Sequence, residues 1–266
     1  MSALPTDQNQ PFVLRHDDEG VAHLRLNRPM QFNALSRDML ECLIAEIDAI
    51  AADEQVRVVV ISGEGKAFCA GHDLKEMRGN HTLAFQQALF RLCGNFMMKL
   101  TRMPQPVIAR VHGIATAAGC QLVSMCDLAV AADVSRFAVS GINVGLFCAT
   151  PGVGLSRNMG RKEAFEMLVT GDFIDAHEAQ RRGLVNRVVP LEQLDDEVAA
   201  LARSICAKSP VAIRMGKQMF YRQLEMGIDA AYQLAAETMA CNAMTEDAGE
   251  GIDAFMAKRK PEWRGR

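Results

Sequence analysis

The chain has 266 residues, of which 49% are hydrophobic and 23% charged, with a formal net charge of −3. This describes a chain able to bury a sizeable core, as one large domain or one domain with an appendage. The near-neutral balance argues against nucleic acid or a membrane surface as partner.

No apolar run approaches the roughly 18 residues of a membrane span. The first ten residues carry neither the basic nor the apolar segment of a secretory leader. The 8 cysteines show no Cys-x-x-Cys pair and no metal-ligand spacing with histidine. A cytosolic protein with reduced thiols and no metal is the expectation.

In chain order, residues 21–26 alternate in character and predict a half-exposed strand near a sheet edge. Leu40, Leu43, Ile44, Ile47 and Ile50 follow helical spacing, with Ser36 as the N-cap. Residues 56–61 and 106–111 are nearly continuous β-branched runs, as in strands covered on both faces. Residues 82–100 form an amphipathic helical stretch between them, and 127–132 are a weaker strand of the same kind. Strand alternating with helix predicts an α/β fold with parallel pairing and crossover helices. Near Pro190 the pattern changes. Residues 194–205, 213–224 and 230–244 show helical periodicity and nothing strand-like. The predicted organisation is an α/β core over residues 1–190 and a helical region over 191–266, with no visible internal repeat.

Two small-residue turns stand out, Cys69-Ala70-Gly71-His72-Asp73 and Ala115-Thr116-Ala117-Ala118-Gly119-Cys120. Each follows a strand-like run and leads into a helical one. Two such turns can aim two backbone N–H groups at one point, the geometry that holds a developing oxyanion.

These turns lie among further motifs. Asn27-Arg28-Pro29 with Asn33-Ala34-Leu35, residues 65–77, Pro106 through Asp127, residues 170–190, and Phe255 with Lys258, Arg259 and Pro261 occur in this order. Together they resemble the enoyl-CoA hydratase/isomerase (crotonase) family over residues 20–262. The resemblance implies a core of repeated ββα turns, a spiral closed by a C-terminal helical region used for trimerisation, and often a dimer of trimers. It implies a coenzyme A thioester as substrate and no separate cofactor. It places the two oxyanion-hole N–H groups at His72 and Ala118. Arg28, Ala70, Asp73, Leu74 and Lys75 fall in the substrate-binding set, Lys75 along the CoA path. Phe255 and Lys258 fall at the adenine and phosphate end, from the same or a neighbouring subunit.

Hydratases of this family use two glutamates for the water and the α-proton. By motif these positions hold Gln121 and Gly141. Glutamine can hold a water but cannot exchange a proton at neutral pH, and glycine offers only space. Four ways of meeting this departure are open. A different side chain could serve as base, with His72 the candidate if its ring turns inward rather than outward. Asp73 reads instead as a helix cap, and Cys120 and Cys148 as nucleophiles or as buried thiols. A bicarbonate could fill the space, since Ser140-Gly141 is similar to the dihydroxynaphthoyl-CoA synthase branch, although that branch carries a glutamine where Val139 stands. The chain could be an isomerase needing a single acid–base group, or a non-catalytic acyl-CoA binder. The acyl-pocket wall is expected from residues 78–100.

Overall fold

A computed structural model describes residues 10–266; the leader expectation falls almost wholly outside them. β1 (Val13–Asp18) and β2 (Val21–Leu26) form an antiparallel hairpin. Helix α1 (Arg37–Ala51) follows, its first turn closed by Ser36 Oγ, which accepts the Met39 N–H at 3.2 Å. Three strand pairs then recur. β3 (Val58–Gly63) runs into β4 (Ala67–Cys69), then α2 (Leu74–Gly79) and α3 (Leu83–Arg102). β5 (Val107–Val111) runs into β6 (Ile114–Thr116), then α4 (Ala118–Met125). β7 (Leu128–Ala132) runs into β8 (Arg136–Ala138), then a 3-10 turn at Ser140–Val144. Helices α5 (Ala149–Asn158) and α6 (Arg161–Thr170) lead to β9 (Ile174–Asp175), α7 (Ala176–Arg181) and β10 (Arg187–Val189). The chain ends in α8 (Leu194–Cys206), α9 (Pro210–Gln223), α10 (Ile228–Ala243) and α11 (Glu246–Met256).

The first strand of each pair enters a six-stranded sheet of order β1-β2-β3-β5-β7-β10, parallel from β2 onward. The second enters a smaller sheet of order β4-β6-β8-β9. This is the ββα repeat that the resemblance implied, although the sequence itself shows no repeat. β2 lies near an edge, as its alternation predicted, with β1 alone outside it. Arg15, His16, Asp17 and Asp18 hide β1 from an apolar pattern.

The β-branched runs are explained by burial on both faces. Val59 and Ile61 join the main core with α1 and α3, while Val58 and Val60 face Leu194, Val198 and Leu201 of α8. α9 is clamped to the core by a buried ammonium. Lys217 Nζ donates to the Leu100 and Gln105 carbonyls at 2.8 Å each and to Asp127 Oδ2 at 2.6 Å. Tyr221 completes the cluster by donating to Asp127 Oδ1 at 2.8 Å. α10 is different, since it has no buried residue.

Candidate active site

The two small-residue turns meet. Gly71 follows β4 with φ +94°, and a Cβ on it would stand 2.8 Å from the Ala117 Cβ and 3.2 Å from the Ala118 nitrogen. A Cβ on Gly119 would stand only 2.1 Å from the Cys69 carbonyl oxygen. Glycine is required at both places by close approach, and at Gly71 also by the positive φ. The first turn is pinned from outside, with Leu35 N–H donating to the Gly71 carbonyl at 2.7 Å and Ala70 N–H to Phe32 O at 2.9 Å.

Ala117 is the strained member. It sits at φ 50°, ψ −120°, a conformation L-residues rarely hold, which costs on the order of 1–3 kcal/mol. Its N–H donates to Ala138 O at 3.0 Å, tying the bend to β8. The bend swings the chain from β6 into α4, whose first residue is Ala118. An N–H at that position has no acceptor within its helix, and the helix dipole favours an anion there.

Beside this junction lies a cavity of about 290 Å³, lined by Ala70, His72, Leu74, Ala117 and Ala118. Its remaining wall is mainly apolar and comes from Met77, Phe90, Ser140, Gly141, Val144 and residues 146–151. Residues 78–100 therefore contribute Phe90 alone, and the wall expected from that segment is supplied mostly by the 3-10 turn and the start of α5. Among the described residues no Asp, Glu, Lys or Arg side chain lines the cavity; His72 and Cys148 are its titratable groups.

The His72 ring turns inward. Its Nδ1 lies 3.0 Å from the Leu35 carbonyl, its ring and that of Phe90 pack at near right angles with centroids 5.4 Å apart, and Nε2 is buried with no partner among the described residues. A carbonyl can only accept, so Nδ1 carries the proton and Nε2 the lone pair. Burial holds the imidazole below its ordinary range, against a smaller upward pull from the Leu35 carbonyl. Ser140, on the cavity wall, pairs its hydroxyl with that of Thr116 at 2.8 Å.

The match to known proteins covers almost the whole chain. A family model described as enoyl-CoA hydratase/isomerase matches residues 16–266. The chain belongs to this family. A crystal structure of an enoyl-CoA hydratase from Mycobacterium smegmatis is 58% identical with a TM-score of 0.94, covering 96% of this chain and 99% of that one. The human enoyl-CoA hydratase domain-containing protein 3 structure is 43% identical with a TM-score of 0.93, over 95% and 100% of the two chains. The Xenopus laevis protein of that name is 45% identical over 256 residues, 96% of this chain and 87% of its own length. The Xenopus and human relatives are named as mitochondrial. That finding corrects the cytosolic expectation.

At the two positions where the resemblance implies glutamates, the residues present are differently placed. Gln121 is 4% exposed on α4 and its Oε1 is buried without a partner, yet it is not among the cavity-lining residues. Gly141 does line the cavity, but the direction a side chain would take is filled. A Cβ there would meet Leu146 O at 2.6 Å and Cys148 Sγ at 2.7 Å. The empty space read from this glycine is absent.

The other expected residues divide. Ala70 and Leu74 line the cavity. Asp73 caps α2, with Oδ1 accepting the Lys75 and Glu76 N–H groups at 2.8 and 3.1 Å. Lys75 is exposed on that first turn, and Phe255 and Lys258 are exposed at the end of α11. Arg28 is buried and engaged within the fold. Its guanidinium donates to the Pro11, Asn27 and Gln10 carbonyls at 3.0, 2.7 and 2.7 Å and stacks over Phe12. Cys120 is sealed in the core and burial pushes its thiol up to about 12, which removes it as a nucleophile. The strained Ala117, the Thr116–Ser140 pair and the 146–151 wall were missed by sequence reasoning. The dense run of small residues at 115–119 was the one signal for the strain.

Proposed function

We propose that this chain binds an acyl-CoA thioester with its carbonyl oxygen between the His72 and Ala118 N–H groups and its acyl chain in the apolar cavity. Nominally this is an enoyl-CoA hydratase site, a reading consistent with the relatives' names. Water addition driven by two glutamates is unavailable to it, because Gln121 and Gly141 stand in their places. The observation that carries the reading is the 3.2 Å between the Gly71 Cβ position and the Ala118 nitrogen, beside a cavity without charged side chains. Each such donor is worth about 3–4 kcal/mol toward an enolate-like oxyanion.

Lys75, next in sequence to the cavity-lining Leu74, lies along the CoA path in this reading. Phe255 and Lys258 offer an aromatic face and a cation for the adenine end. Self-association as a trimer or dimer of trimers accounts for α10, where Tyr232 and Met239 are 73% and 69% exposed on a helix with no buried residue.

The carboxylate-free cavity also favours a second reading, an acyl-CoA binder without turnover. The bicarbonate-assisted route loses support, since Leu146 O and Cys148 Sγ fill the space at Gly141. Crotonyl-CoA hydration assayed beside butyryl-CoA binding tests the reading. Binding with weak or no hydration is expected; absence of acyl-CoA binding overturns it.

A further inference from the structure

Residues 259–266 leave the end of α11 and run back along it as a strap, gripped by carboxylates on the helix they have just left. We propose that Asp247, Glu250 and Arg259 are positioning residues, holding this strap so that Phe255 and Lys258 stand preset for the nucleotide end of a CoA thioester. The inference rests on the acyl-CoA reading above and assigns what fixes its adenine-end contacts, in the same or a neighbouring subunit.

The first anchor is buried. Asp247, in the first turn of α11, is 1% exposed. Its Oδ1 accepts the Arg264 and Gly265 N–H groups at 2.7 and 3.2 Å, and its Oδ2 accepts the Ser209 hydroxyl at 2.6 Å. Ser209 Oγ in turn accepts the Ala212 N–H at 3.2 Å, so one carboxylate joins the strap, α11 and the start of α9. Losing it would leave those donors without their acceptor, which is costly in a buried place. Between the anchors Trp263 lies over Gly251, where a Cβ would meet the ring at 3.2 Å. Its Nε1 donates to Ala207 O at 2.8 Å, just past α8.

The second anchor acts at the functional end. Glu250 receives the Arg259 guanidinium in a two-pronged grip, Nη1 on Oε1 at 2.6 Å and Nη2 on Oε2 at 2.8 Å. The Glu262 N–H adds a further bond to Oε1 at 2.8 Å. Arg259, then the Glu262 N–H, holds the Glu250 carboxyl down at about 2, so the pair is intact at neutral pH.

This grip bears on Lys258 directly. The Arg259 N–H donates to Ala254 O at 3.0 Å and the Lys258 N–H to Phe255 O at 3.2 Å. Between them Lys258 sits at φ 53°, a left-handed conformation that a lysine adopts only where its surroundings impose it. Phe255 is 85% exposed and Lys258 is exposed as well, so packing does not orient them. Their placement comes from the helix end that the strap closes. Ordering that end before a ligand arrives removes part of the entropic cost of binding.

The test compares calorimetric titrations with butyryl-CoA and with butyryl-pantetheine, the same thioester without its nucleotide. Asp247→Asn and Glu250→Gln should each weaken butyryl-CoA by about tenfold, the cost of ordering one or two side chains, and leave butyryl-pantetheine unchanged. Glu250→Gln with Arg259→Gln should lose no more than either alone, because the two act as one unit. Trp263 is the chain's single tryptophan, and its emission should move to longer wavelength in Asp247→Asn as the strap lifts. If that variant does not fold, Glu250→Gln, at a half-buried position, carries the comparison. Equal losses for both thioesters make the anchors merely structural and overturn the proposal. So does an unchanged butyryl-CoA affinity in Glu250→Gln, with the binding reading intact if Lys258→Ala still weakens butyryl-CoA selectively. Lys258→Ala without effect overturns the nucleotide-end reading along with the proposal.

Discussion

The Cys148 sulfur occupies the space into which a side chain at position 141 would grow, 2.7 Å from where its Cβ would stand. The Leu146 carbonyl closes the same direction at 2.6 Å, and Leu146 N–H donates back to the Gly141 carbonyl at 2.9 Å. This glycine is therefore a packing requirement of the cavity wall.

Restoring the family's glutamates should fail. Gly141→Glu, alone or with Gln121→Glu, must displace residues 146–148 and is expected to lower the melting temperature without conferring crotonyl-CoA hydration. Gly141→Ala isolates the steric part, at a cost of about 1–3 kcal/mol in denaturant unfolding. Hydration gained at unchanged stability would contradict this.

The junction of the two turns should be intolerant in the same way. Gly119→Ala forces a methyl to within 2.1 Å of the Cys69 carbonyl, a backbone atom that cannot swing aside. Acyl-CoA affinity is expected to collapse in a calorimetric titration, along with stability. Gly94→Ala, inside α3 with nothing within 4 Å of the new methyl, should instead stabilise by roughly 0.5–1 kcal/mol and leave affinity untouched.

Arg28→Met separates a family motif from a ligand contact. The Gln10 and Asn27 carbonyls lose the guanidinium N–H groups while Pro11 O keeps Asn27 Nδ2, and chemical denaturation should report a loss of about 1–3 kcal/mol. Butyryl-CoA affinity should not change. A selective loss of affinity would return Arg28 to the substrate-binding set.

Stability should decline on acidification. Burial lowers the pKa of His23, His72 and His112 from 6.5, so below that value the unfolded chain binds more protons than the folded one. Their contribution is complete above pH 6.5 and is lost as pH falls toward their folded values. Thermal midpoints should drop between neutral pH and about pH 5, and His72→Gln with His112→Asn should flatten the slope.

The long elements were legible where a physical pattern repeats. β3 and β5 declare themselves by β-branched runs because both faces are covered, and α1 and α8 by one apolar face each. β4, β6 and β8 span three residues apiece, too short for any period to register. α5 hides behind Pro151, Gly152 and Gly154. Its proline sits in the first turn, where no intrahelical hydrogen bond is lost, and Gly154 lets the helix lie against Ser124 of α4. At the site, the two turns were visible as motifs. The direction of the His72 ring and the filling of the Gly141 space were not, because both depend on residues 35, 90, 146 and 148, distant in sequence from the turns that they complete.

The central claim is that the His72 and Ala118 N–H groups polarise a bound thioester carbonyl. Isotope-edited infrared spectroscopy of butyryl-CoA labelled at that carbonyl tests it most directly. The account predicts a stretch moved to lower frequency on binding, with the shift retained in His72→Ala because the backbone donors persist. A bound ligand whose carbonyl stretch stays at its free-solution frequency would contradict it.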